Sequence, residues 1–358
     1  MSRVIRCVRV AVRERLEGRK RQWFSLEIQL RTNRYTISVS LSNFRNSAVR
    51  SEEFQKYFET LRSQNEGHDD SLEEIDEESG AIARRTALYD CFDWAVTPCL
   101  DDFERHSPAL PPLEGGQLTL GHFIVANSFE CDLNAIDDVL LPGEIEPAEP
   151  EDLWFSAPSG DSWTTSFPSF TPTEISVHVD DPENPFDSNP SQVCFGQQRL
   201  YFKEISDLDD TLATKEVEKY ERIARAGLGT DVRTSRLYGV VRNERKQLAG
   251  LLLYPIEEED LLTFAAGPDT PDALKNRWAQ QIQHTIAALH KAGIIWGDAK
   301  PDNILIDVHG DAWVIDFGGG RTEGWVDADK AGTTEGDLQG LERILKFIAS
   351  GDYDRAGR

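Results

Sequence analysis

The 358-residue sequence is poor in sulfur, with five cysteines and one methionine. Cys7, Cys91, Cys99, Cys131 and Cys194 are scattered, odd in number and never in CxxC spacing. That pattern argues against a disulfide framework and a cysteine zinc site, and it favours a reducing compartment, cytoplasmic or nuclear. No apolar run approaches the roughly 18 residues that span a bilayer, so no membrane association is expected. Positive charge is scarce as well: 38 Lys and Arg stand against 63 Asp and Glu, a net charge of −25. Such a surface repels phosphate backbones, which argues against nucleic acid as a partner and favours cationic ones. The patterns GxxxxGK[ST], HExxH and GxSxG are missing, and the seven histidines do not pair at ligand spacing. Nothing in the composition bears on oligomeric state.

What is present is enough apolar residue for a core, 39% with eight tryptophans, in a length that suits two domains. The opening MSRVIRCVRVAVRER is arginine-rich and acid-free until Glu14, as a mitochondrial presequence would be, yet Val8, Val10 and Val12 alternate as in a strand. Strands are expected at Trp23–Leu30 and Tyr35–Leu41, and helices at Glu52–Arg62 and Ala81–Leu100, around the acidic insert GHDDSLEEIDEESG. Residues 1–110 thus read as an α+β region. Residues 111–173, rich in Pro, Gly, Ser and acids, read as a linker that partly packs on its neighbours.

From residue 174 the texture changes. Short strands are expected at Glu174–Asp180, Gln192–Phe195 and Arg199–Ile205, then a helix at Thr211–Ala226 and strands at Arg236–Arg242 and Leu248–Ile256. A long helix, Pro271–Lys291, follows with Thr270 as its expected cap and Gly293 as its stop. Two apolar runs, Ile304–Ile306 and Ala312–Ile315, flank the turn VHGD, and a last helix is expected at Leu338–Ala349.

The chemistry concentrates in two places. Asp298-Ala-Lys300-Pro-Asp-Asn303 puts an acid, a lysine and an asparagine in one loop between a helix and a strand. Asp316-Phe317-Gly318 puts a carboxylate at a strand end before a flexible glycine. Alone, the first could be a polar turn and the second a chance tripeptide. Thirteen positions separate Asn303 from Asp316, room for one hairpin that would set them side by side.

The stretch WGDAKPDNILIDVHGDAWVIDFG closely resembles the catalytic loop and Asp-Phe-Gly segment of eukaryotic protein kinases. It shares its Gly-Asp form with aminoglycoside-phosphotransferase-like enzymes, and the run GGGRTEGWVDADKAGTTEGDLQGLERIL resembles the tail of kinase-like proteins of filamentous fungi. The resemblance covers about residues 174–358 and implies an α+β, two-lobed protein-kinase-like fold. Its small β-rich lobe would run over about 174–256 and a truncated helical lobe over about 257–358, both preceded by the α+β N-terminal region. It further implies ATP and Mg²⁺ as cofactors, Asp298 as catalytic base, Lys300 as the γ-phosphate contact, and Asn303 and Asp316 as Mg²⁺ ligands. Lys203 would meet the α- and β-phosphates, paired with Glu216 or, failing that, Glu218. Asp337 resembles a buried aspartate that supports the catalytic loop from below.

The sequence also departs from the family. Trp296-Gly297 replaces the usual His-Arg, and without that arginine ordinary phospho-activation is not expected. No GxGxxG precedes Lys203; DDPENPFDSNPSQ stands there instead. The leading expectation is a serine/threonine kinase-like enzyme acting on a protein or a small cationic, hydroxyl-bearing substrate. A small-molecule kinase and a pseudokinase scaffold are the alternatives.

Overall fold

Apolar residues at alternate positions and at helical spacing build two separate cores here. The structure, a computed structural model, describes residues 5–15, 21–30, 32–65, 89–107, 117–124, 127–148, 163–179, 190–205, 210–244 and 246–353. The chain divides into one unit of residues 1–153 with 180–189 and a second of 154–179 with 190–358. Among the described residues no helix is long and apolar enough to cross a membrane.

In the first unit, strands β1 (Ile5–Arg15), β2 (Arg21–Leu30) and β3 (Asn33–Arg45) form an antiparallel meander. The opening residues are therefore a strand from Ile5 onward, as their alternation suggested. Helix α1 (Ala48–Asn65) carries Phe54, Phe58 and Leu61 on one face, and these bury against Phe24, Leu26 and Ile28 of β2. The rings of Phe24 and Phe54 stack at 5.6 Å. Helical structure resumes at residue 89; residues 66–88, which hold the acidic insert and the start of the second expected helix, lie outside the described residues.

The stretch 111–173 differs from the linker reading. Strands β4 (Asn127–Ile136), β5 (Val139–Pro142) and β6 (Glu146–Pro147) complete the first sheet, in the order β1-β2-β3-β4-β5 with β6 on β4. β4 runs parallel to β3, an arrangement that needs a long crossover, and the helices between them supply it. The buried side chains of β4 are Cys131, Leu133 and Ala135. Their alternation is real, but two of the three are small, and acids and prolines surround them.

The second unit opens with β7 (Ser169–Phe170), β8 (Ser176–Val177), β9 (Gln192–Phe195) and β10 (Gln198–Glu204). Helix α2 (Asp210–Arg225) follows, then β11 (Leu237–Arg242) and β12 (Leu248–Leu253). Their sheet has the order β7-β11-β12-β10-β9-β8. Val217, Tyr220 and Ile223 of α2 pack on it. The larger helical part contains β13 (Glu258–Leu261), helix α3 (Asp272–Lys291), the β14 (Ile304–Asp307) and β15 (Ala312–Val314) hairpin, and helix α4 (Thr334–Ser350). Trp278, Ile282, Ile286 and Leu289 form the buried stripe of α3. Thr270 does not cap it: Pro271 is the N-cap residue, and the Thr270 hydroxyl instead closes the preceding turn with Gly267 N at 2.9 Å and Ala265 O at 3.1 Å. α4 starts four residues before its expected position because Thr333 caps it, accepting from Gly336 N.

Residues 163–170, also inside the expected linker, form a strap on this unit. Thr165 Oγ1 and Ser166 N both donate to Glu221 of α2 at 2.7 Å, and the Arg242 guanidinium lies 4.8 Å from the Trp163 ring. β7 then pairs in parallel with β11. Gly239 permits this approach, since a Cβ there would run into the Phe170 ring and lie 2.8 Å from Pro168 O. Gly239→Ala should therefore destabilise the unit by about 1–3 kcal/mol through overpacking. Thermal unfolding at the wild-type midpoint would refute this attachment.

Candidate active site

Strand β10 presents Phe202 to the core and Lys203 to the opposite side, because successive side chains alternate. Lys203 Nζ meets both Glu216 carboxylate oxygens, at 3.0 and 2.9 Å, and Asp316 Oδ1 at 2.8 Å. Glu216, one residue before the buried Val217, is the partner; Glu218 is not. Burial pushes the Glu216 carboxyl above its ordinary value, and Lys203 only partly offsets this. Burial would lower the Lys203 ammonium, but Glu216 and Asp316 together hold it above the usual lysine value. Burial sets the direction at Glu216, and the two carboxylates set it at Lys203. The ammonium is thus held in its charged form between the two carboxylates.

The catalytic-looking loop is braced by its own polar groups and by Thr322. Asn303 Nδ2 donates to Asp298 O at 3.0 Å and to Asp298 Oδ2 at 3.1 Å. Lys300 Nζ lies 3.0 Å from Asp298 Oδ2. Thr322 Oγ1 donates to Asp298 Oδ1 at 3.0 Å and accepts from Lys300 Nζ at 2.8 Å. Asp298 is buried, so these contacts act in a medium where water screens them weakly.

The hairpin brings the two segments together. Ile304 pairs with Val314, and Ile315 N donates to Asn303 O at 3.0 Å, so Asn303 lies opposite the residue before Asp316. Asp316 itself has φ +57°, a turn that a non-glycine residue adopts only when its surroundings hold it there. Lys203 and Gly318 N both take its Oδ1, at 2.8 and 3.2 Å. Asn303 has its NH₂ group turned to Asp298, which directs its amide oxygen the other way. These two residues therefore offer oxygens suited to a hard cation such as Mg²⁺. Among the described residues no group of three or more His, Cys, Asp or Glu converges as a metal site. The donor set fits an ion that keeps water or phosphate oxygens in its remaining positions, which is the habit of Mg²⁺.

Below the loop, the buried Asp337 of α4 accepts from Trp296 N and Gly297 N, each at 2.7 Å, and lies 2.8 Å from His290 Nε2. The fully buried Trp296 indole donates to Ile315 O at 2.8 Å, so the tryptophan supplies both packing and a hydrogen bond where the family has histidine. Phe317 is equally buried and meets Tyr220 edge to face at 5.4 Å.

All six residues expected from the sequence, Lys203, Glu216, Asp298, Lys300, Asn303 and Asp316, thus fall into two linked clusters joined by the β14–β15 hairpin. Two further residues were not anticipated. Thr322 follows Asp316 by six positions with no pattern to mark it. Lys219 stands three residues after Glu216 on α2, a helical spacing that could have flagged it, and its Nζ donates to Trp296 O at 2.9 Å.

Residues 234–327 match the family described as protein kinase domain. A sequence of Oryza sativa named as cyclin-dependent kinase F-2 is 38% identical over 55 residues, 15% of this chain and 17% of the relative. CBL-interacting protein kinase 30 of Oryza sativa is 29% identical over 94 residues, 26% of this chain and 20% of the relative. Serine/threonine-protein kinase RIM15 of Saccharomyces cerevisiae is 28% identical over 141 residues, 36% of this chain and 8% of the relative. Across these three, the chain covers between 8% and 20% of the relative's length.

Proposed function

This chain carries a domain of the protein-kinase-like superfamily, and we propose that it is an ATP- and Mg²⁺-dependent phosphotransferase acting on serine or threonine hydroxyls. The observation that carries the reading is Thr322, whose hydroxyl accepts from Lys300 and donates to Asp298 in a loop that Asn303 also braces. These contacts support the reading because they fix Asp298 and Lys300 relative to one another, and positioning is where much of the catalytic gain of phosphoryl transfer originates.

In this mechanism Asp298 accepts the proton of the attacking hydroxyl. Lys300, 3.0 Å from it, balances the charge of the phosphoryl group in flight. Lys203, held by Glu216, receives the α- and β-phosphates. Asn303 and Asp316 would hold Mg²⁺, which when bound neutralises charge between the phosphates. The serine/threonine preference draws on Lys300 two positions after Asp298 and on the serine/threonine kinase named among the relatives. The net charge of −25 favours acceptors with basic surroundings. Residues 180–189, in the place of a glycine-rich loop, lie outside the described residues.

Thermal unfolding with Mg²⁺-ATP tests the reading. At 100 times the dissociation constant, ATP should stabilise the wild type by about 2.7 kcal/mol. Asp316→Asn should lose most of that shift. A wild type unmoved at millimolar Mg²⁺-ATP would leave a scaffold as the better account. The Gly297-Asp298 form supports a second reading, a small-molecule kinase. Phosphate transfer to amino alcohols or aminoglycosides without a protein acceptor would favour it.

A further inference from the structure

Lys219 and Glu216 leave the same face of α2, three residues apart. Glu216 turns to Lys203 and to the backbone N–H of Phe317. Lys219 turns to the loop, donating to Trp296 O at 2.9 Å. That carbonyl belongs to the same peptide unit as Gly297 N, which donates to Asp337 Oδ1 at 2.7 Å. A cation from α2 and an anion from α4 thus grip the two ends of one peptide plane, immediately before Asp298. A planar unit so held can turn only by breaking a charge-assisted hydrogen bond.

Gly297 makes room for this grip. Its φ is +98°, and a Cβ there would lie 3.0 Å from Lys219 Nζ and 3.2 Å from Gly319 Cα. A Cβ on Gly319 would come within 3.5 Å of the same ammonium. Lys219 therefore sits where the helix, the loop leading to Asp298 and the segment after Asp316 meet. In the family pattern an arginine stands at the position of Gly297, and that arginine answers a phosphate on the activation segment. Here the position has no side chain, and a lysine from the helix fills the space.

We propose that Lys219 is a positioning residue that couples α2 to Asp298, and that this internal cation keeps the site assembled without a phosphate on the activation segment. The proposal rests on the phosphotransferase reading above and deepens it with a mode of regulation. Lys219→Met keeps an unbranched side chain but removes the donor, so turnover should fall about 10²-fold, the scale of a small misplacement at a reacting centre. The KM for ATP should be unchanged, because Lys203 and Glu216 are untouched. Lys219→Gln keeps an N–H donor and should recover part of the loss. Hydrogen exchange of the full chain gives a readout independent of activity: peptides over residues 294–303 and 210–225 should exchange faster in Lys219→Met than in wild type. Phosphatase treatment of the wild type should leave turnover unchanged.

Wild-type turnover together with wild-type exchange in Lys219→Met would overturn the coupling, and loss of wild-type activity on phosphatase treatment would overturn the phosphate-independence. A wild type that transfers no phosphate at all would instead defeat the phosphotransferase reading, and the exchange comparison would still decide whether Lys219 ties the helix to the loop. Should Lys219→Met not fold, the same comparisons on Lys219→Gln decide the matter by the size of its deficit.

Discussion

Asp298→Asn is expected to cut turnover by about 10²–10⁴-fold, the usual contribution of a positioned base, while stabilisation by Mg²⁺-ATP persists. The asymmetry follows from the contacts. Asn303 binds Asp298 partly through its backbone carbonyl, at 3.0 Å, which the substitution leaves in place. The ion pair of Lys203 with Glu216 at 2.9 Å and the contact of Lys203 with Asp316 at 2.8 Å belong to the other cluster. An amide of the same shape still accepts from Thr322 or Asn303 but cannot take a proton from a hydroxyl. Steady-state kinetics and a thermal-shift titration on the same preparation separate the two effects. Turnover within a few-fold of wild type would remove Asp298 from the role of base, and joint loss of turnover and of the ATP shift would recast it as structural.

Most of the second unit was legible because its information is local. Short apolar runs marked β9, β10 and β11; the 3.6-residue stripe marked α3; and the spacing from Asn303 to Asp316 encoded a hairpin whose register the chain had to adopt. Glu216 was legible through the resemblance, because Glu216-Val217 with Tyr220 and Ile223 repeats the kinase pattern of a glutamate followed by apolar residues. The misses share a different cause. Thr322 and Lys219 act through contacts with residues 24 and 77 positions away; no local pattern marks Thr322, and the three-residue step from Glu216 puts Lys219 on the right helix face without naming its remote partner. The strap at residues 163–170 escaped for a related reason. Its hold comes from Thr165 and Ser166 donating to Glu221 of α2 and from a two-residue parallel pairing with β11, neither of which leaves a periodicity. In the first unit β4 was hidden by Cys131 and Ala135, whose small side chains weaken an alternation that burial on the sheet makes plain. Thr270 was misjudged because a threonine before Pro271 satisfies the rule for caps in composition, yet its hydroxyl had a closer use in the turn with Gly267 and Ala265.

Asp337→Ala should strongly destabilise the second unit, and the reason is where its partners lie. Its carboxylate is 1% exposed and takes hydrogen bonds from two consecutive backbone N–H groups that have no water to turn to. Deleting it strands both donors, at about 1–3 kcal/mol each, so a loss of about 3 kcal/mol or more is expected. For a domain of 150–250 residues that lowers the midpoint of thermal unfolding by about 2–4 °C per kcal/mol. Asp337→Asn keeps one acceptor oxygen and should lose clearly less. The ordering matters more than the absolute values. If Asn and Ala were equally destabilising, the negative charge would be the essential feature; if neither moved the midpoint, the loop would be held by Lys219 and the hairpin alone. An intermediate value for Asn would assign the support of the Trp296–Gly297 peptide to hydrogen bonding from α4, the half of the grip that Lys219 completes from the opposite side.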